Sequence, residues 1–284
     1  MKLDCLSSLF LFNIDRNESS SRLTRRTAAA LVASLFLTCG AGISAQNGSG
    51  NASQQDPAAV AAVRMAIASM GGTYALASIQ DATVTAHVTS LDSPNVAATG
   101  QIAWTTIGMS IRSTTNSQSG NSAYAVQNGK GLVEDATGNV SPMDPRLALT
   151  IFPHHLPGVV LLNLLRDSNE SLTVVQDAGA TKNIIHVRFQ KQLSDPILTS
   201  STQQDWYIDM TTGLPSRVDY FLPNITNASL DGTTTVRFTS WQKTPSILMP
   251  QTLQTLDNGA PVNSITFGVP QFNQGLSASI FQLP

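Results

Sequence analysis

Cysteine is the scarcest reactive residue of this 284-residue chain; the two present, Cys5 and Cys39, both fall within the first 45 positions. If that segment is removed, disulfides, thiolate nucleophiles and cysteine-ligated metals are excluded. Charge is also sparse, at 12% of residues and a formal net of -2, and no basic cluster exists beyond residue 45. Nothing in that balance can neutralise a run of phosphates, so no nucleic-acid partner is expected. Glutamate nearly disappears: beyond residue 45 only Glu134 and Glu170 remain, and most aspartates sit beside Gly, Pro, Ser or Asn in turn-like contexts. A pair of catalytic carboxylates at defined separation is therefore not visible. The closest approach to a Gly-x-Ser-x-Gly elbow is "GMSIR" at 108–112, which ends in Arg112 and has no helix after it. "NGKG" lacks the long glycine loop of a phosphate cradle.

Histidine numbers four: His87, His154, His155 and His186. His154-His155 lies between Pro153 and Pro157 with no ligand at helical spacing, so the pair reads as a surface loop and no metal is expected. His87 and His186 fall within alternating strands and read as solvent-facing. No catalytic residue, metal ligand or cofactor site emerges, and the chain does not read as an enzyme.

What is present begins with an export pattern. Arg22, Arg25 and Arg26 precede the apolar run "TAAALVASLFLTCGAGI", and Ser44-Ala45 is followed by polar sequence. A basic flank, a short apolar core and small residues at the cut predict a signal peptide over 1–45, delivering the chain across the inner membrane to the periplasm. The apolar core is short for a bilayer span, and no later stretch is longer, so the mature chain is read without a transmembrane span. Phe36 and Thr38 argue against a lipid anchor at Cys39. Residues 46–56 read as a polar, flexible linker, and 57–284 as one domain, expected to be a monomer.

Asp56-Pro57 then opens "AAVAAVRMAIASMGG", with an N-cap, proline at the first helical position and glycines at the exit, which predicts a packing helix. From residue 82 the period changes to two. "ATVTAHVTSL", "TGQIAWTTIGMSIRSTT" and "SAYAVQNGKGLVED" read as strands, the last a hairpin about Asn128-Gly129. The stretch 156–165 is apolar all round, which predicts a buried helix or a cover over an apolar surface. Strands resume after Leu172 and run without intervening helices to "VNSITFGVPQF", an antiparallel meander with one apolar face. In "DWYIDMTTGLPSRVDYFLP", Asp209 and Gly213 read as closing a hairpin, not as a site with Thr211.

The order of elements resembles the bacterial periplasmic lipoprotein-carrier (LolA-like) superfamily. The segments that carry the likeness are "GQIAWTTIGMSIRS", "YAVQNGKGLVED", "WYIDMTTGLPSRVDYF" and "TTTVRFTSWQKTPSILMPQTLQ". The helical region departs from the family in being recast around Pro-His-His-Leu-Pro, and the strand after Trp104 lacks its usual proline. The resemblance implies a mainly β, α+β fold: a half-open antiparallel barrel wrapped around the N-terminal helix and the central apolar helical insertion. It implies a cavity for a lipid or acylated ligand, with Arg112 matching a sheet arginine near a lid. On the inward faces the candidate lining residues are Trp104, Leu161, Leu165, Val187, Phe189, Trp206, Ile208, Val218, Tyr220 and Phe238. Periodicity leaves open whether these enclose a ligand or fill a core. With a filled core the same fold would serve as an interaction module for a cell-envelope protein partner. A hydrolase would need His87 or His186 brought against a Ser and an Asp.

Overall fold

The computed structural model describes residues 55–91, 97–106, 109–117, 120–176, 183–224 and 231–283. The signal peptide, Cys39 and most of the linker read from the sequence lie outside them. The first helix, α1 (Pro57–Ser69), starts as its sequence dictates. Asp56 accepts a hydrogen bond from the Ala58 N–H at 2.8 Å, Pro57 supplies the first turn, and Gly71 (φ 129°) ends the run. Its buried face is small, built from Ala59, Ala62, Ala66 and Val63, which lets neighbouring elements come close. A short α2 (Gly72–Ala77), not anticipated from the sequence, turns the chain into the sheet.

The sheet is one antiparallel ladder of fourteen strands made of two meanders. The first comprises β1 (Asp81–Ser90), β2 (Ala97–Thr105), β3 (Ser110–Ser117), β4 (Gly120–Gln127), β5 (Lys130–Glu134) and β6 (Val140–Pro142). The second comprises β7 (Glu170–Val175), β8 (Ile184–Lys191), β9 (Gln204–Asp209), β10 (Pro215–Leu222), β11 (Gly232–Lys243), β12 (Leu248–Asp257) and β13 (Ala260–Phe267). Pairing of β1 with β13, His87 opposite Thr266, splices the two, and β14 (Gln271–Phe272) adds to β1. The ladder does not close: β6 and β7 end it. Between the meanders the chain forms α3 (Pro145–Ala148) and α4 (Pro157–Arg166); α5 (Pro196–Ser201) interrupts the second. The expected α+β, half-open antiparallel architecture around two helices is what forms.

Turn chemistry sets the hairpins. Asn128 (φ 51°) and Gly129 (φ 72°) are both left-handed, the two-residue turn that suits the twist of β4 and β5. In the β9–β10 turn the Asp209 carboxylate accepts from the Thr211 N–H at 2.7 Å, and the Gly213 N–H donates to the Asp209 carbonyl at 2.7 Å. Asp209 and Gly213 have the structural job read from the sequence. The tip also docks on α1, because a Cβ at Gly213 would run into the Ser69 hydroxyl.

One apolar cluster joins the inner sheet face to α1, α2 and α4. α4 is buried nearly all round, as a helix without a polar face must be. Gly158 allows this, since a Cβ there would sit 2.9 Å from Leu76 and 3.2 Å from Met70. No helix among the described residues is long and apolar enough to cross a membrane. The C-terminal segment straps the sheet: the Asp81 carboxylate accepts the backbone N–H groups of Gln274, Gly275 and Leu276 at 2.7, 2.9 and 3.2 Å.

Candidate functional site

The open ladder leaves a gap, and a cleft of about 630 Å³ occupies it. One wall comes from the first meander: Ile111 on β3, Val126 on β4 and the Asn128-Gly129 turn. The floor is the segment after α3, including Leu149, Ile151 and Phe152, with Val160 and Leu164 of α4. Met109 stands at the rim, 42% exposed, on a left-handed backbone (φ 47°) uncommon for a methionine. This volume lies within the range of small-molecule pockets, which are mostly apolar with a few placed polar groups.

Asn128 and Asn163 also line the cleft, and its charged groups gather around the end of α4. Arg166 and Asp167 end α4, Glu170 opens β7, and Lys191 and Thr202 come from β8 and the end of α5. Lys191 Nζ donates to Asp167 Oδ2 at 2.6 Å. Burial works to raise the Asp167 pKa, but the lysine hydrogen bond and the Asn169 N–H hold it below the usual carboxylate range. Glu170 is different. It is 5% exposed, and its Oε2 is sealed from solvent with no hydrogen-bond partner. Burial pushes it up to about 7, with Lys191 drawing it down and Asp167 opposing that.

The ten residues expected to line a cavity are brought together, but with one another. Trp104, Leu161, Val187, Phe189, Trp206, Ile208 and Val218 are fully buried in the common cluster, with Tyr220 and Phe238 nearly so and Leu165 packed against it. Trp206 stacks on Phe238 with ring centroids 6.1 Å apart, and its Nε1–H donates to Gln204 Oε1. None of the ten borders the cleft; Tyr220 borders a void of about 10 Å³. Arg112 faces the side of the sheet away from α4. Its guanidinium donates to the Ile280 carbonyl at 3.0 Å, fastening the C-terminal 3-10 turn (Ala278–Phe281).

Two histidine readings are corrected. His154 and His155, expected on a surface loop, are 1% and 0% exposed. The proline-flanked segment lies inside, where His154 stacks on Tyr220 at 5.0 Å and His155 lies 5.6 Å from the Phe267 ring. Burial pushes both down to about 3, with mutual repulsion adding to the effect at His155. His186, expected to face water, is 6% exposed: it stacks on Tyr207 at 4.3 Å, and its Nε2 is 2.9 Å from Asp205 Oδ1. That His–Asp pair belongs to an ion cluster on the outer face. Asp205 also accepts from Arg188 Nε at 2.7 Å and from Gln203, and these bonds overcome its burial to keep its pKa low. His87 is exposed, as expected, and Ser110 is fully buried at the start of β3 with no helix following.

Glu170 is the residue that the sequence reading passed over. Its signal was rarity: one of two glutamates past residue 45, placed where an apolar helix meets a strand. No family model matches the chain, and no curated protein matches it by sequence. Among solved structures, a DUF1329 family protein from Desulfovibrio piger is similar in fold, with TM-score 0.50 and 13% identity over 79% of this chain and 97% of that one. A LolA superfamily protein from Nitrosomonas europaea has TM-score 0.49 and 9% identity over the same shares. At these identities the likeness is one of fold.

Proposed function

We propose that the chain is a non-enzymatic binding protein of carrier type that holds a lipid or acylated ligand in the cleft between the two meanders. Residues 1–45 serve as its signal peptide and 46–56 as a tether, and 57–284 act as one monomeric domain in the periplasm without a cofactor. The observation that carries the reading is the cleft itself: about 630 Å³, apolar along most of its walls and polar at one end. Each methylene buried there is worth about 0.8 kcal/mol, so an alkyl chain is held by lining alone and no reactive group is needed. Exchange with a membrane then approaches balance, which is what a carrier requires.

The ten inward residues favour a second reading. They pack against one another, with a void of about 10 Å³ beside Tyr220, which supports a filled core whose fold would present its outer face to a cell-envelope protein. Titration with N-phenyl-1-naphthylamine, an uncharged apolar fluorescent probe, separates the two. Binding is expected in the parent protein, with a loss of about tenfold in Leu149→Glu, which sets a charge against the probe at a half-buried cleft position. No uptake by the parent protein, or equal uptake by the variant, refutes the cleft as the binding site.

A further inference from the structure

Glu170 stands at the polar end of the cleft as an acceptor lacking its donor. It lines the cleft, is 5% exposed, and has Oε2 sealed away with no hydrogen-bond partner. Its neighbour across the ladder is Lys191, which would be the natural counter-ion. That ammonium is committed elsewhere, to Asp167 Oδ2 at 2.6 Å. Asp167 and Lys191 are bonded to one another, so Glu170 Oε2 has no donor in the cleft wall. Buried polar groups in folded proteins are almost always paired, and a cleft-lining carboxylate without a donor marks where a ligand can supply one.

The missing group must donate a hydrogen bond and must arrive through an apolar trough. We propose that the cleft takes an amphiphile whose head carries an amine, with the ammonium against Glu170 and the alkyl chain along Leu149, Phe152, Val160 and Leu164. This rests on the binding reading above and adds the chemistry of the head group. A charge-assisted hydrogen bond is shorter and about twice as strong as a neutral one, so a matched alcohol is a poorer partner and a carboxylate a repelled one. Arg166, exposed at the same end, leaves room for an anionic group beside the amine, as in an ethanolamine phospholipid head.

Displacement of bound N-phenyl-1-naphthylamine, an apolar probe uncharged at pH 8, tests this with dodecylamine, dodecanol and dodecanoate below micelle-forming concentrations. Dodecylamine is expected to bind about tenfold tighter than dodecanol, and dodecanoate weakest. Glu170→Gln keeps the size of the side chain and should abolish the amine preference, bringing dodecylamine to within about twofold of dodecanol, with a native far-UV circular dichroism spectrum reporting an intact fold. Equal binding of amine and alcohol to the parent protein, or an amine preference surviving in Glu170→Gln, overturns the head-group assignment while leaving the cleft as a binding site. If no chain displaces the probe and the probe itself does not bind, the binding reading falls with it. A lysophospholipid with an ethanolamine head binding tighter than dodecylamine supports a phospholipid source for the amine, and weaker binding supports a simple one.

Discussion

Replacing His155 with leucine should flatten the dependence of stability on pH between 7.5 and 5. In the folded chain His154 and His155 are held neutral down to about 3, whereas an unfolded histidine protonates near 6.5. As pH falls below 6.5 the unfolded state gains protons that the folded state refuses, so stability drops with acid. At pH 5 that amounts to about 2 kcal/mol for each histidine. Glu170 works in the opposite direction: folded, it takes up its proton near 7, while the unfolded chain waits until 4.5, so acid stabilises the fold. Over the same interval it returns about 2.5 kcal/mol. The parent should therefore lose about 1.5 kcal/mol between pH 7.5 and 5, and His155→Leu should lose none. Leucine also removes two ring nitrogens that are buried without partners, so the variant is expected to be no less stable than the parent at pH 7.5. Urea unfolding midpoints at intervals of half a pH unit measure all of this. Parallel curves for parent and variant would refute the argument, because they would mean that His155 titrates alike in both states.

Gly213→Ala should destabilise by about 1 to 2 kcal/mol in thermal unfolding, combining a left-handed φ of 72° with a collision against the Ser69 hydroxyl of α1. Asp205→Asn should cost about 1 to 2 kcal/mol, discounted for the open side of Arg188, and should expose His186, which amide and ring proton exchange by NMR would register. Arg112→Met should cost about 1 kcal/mol and speed hydrogen exchange over 278–283 while leaving β9 and β10 protected. Unchanged exchange in that segment would show that the guanidinium does not hold it.

The local elements were legible along the chain, because caps, periods and turn residues act over a few positions. Asp56-Pro57 starts α1, Asn128-Gly129 and Asp209–Gly213 close their hairpins, and period two marks the strands, since each is satisfied by its own neighbours. Whether an alternating residue meets water was decided only by its partners. His186 alternates as an outward residue should, yet Tyr207 and Asp205 cover it. His154 and His155 looked like a polar loop, and only packing of the proline-flanked segment against Tyr220 and Phe267 buries them. Two meanders were legible, but their splice through β1 and β13 joins residues about 180 apart, which no short-range signal encodes. The cleft follows from that splice, because a ladder joined there ends at β6 and β7 and stays open between them. Glu170 becomes a candidate for recognition only in that setting. In the sequence it is one scarce glutamate; in the fold it is a carboxylate kept from water beside a lysine already engaged.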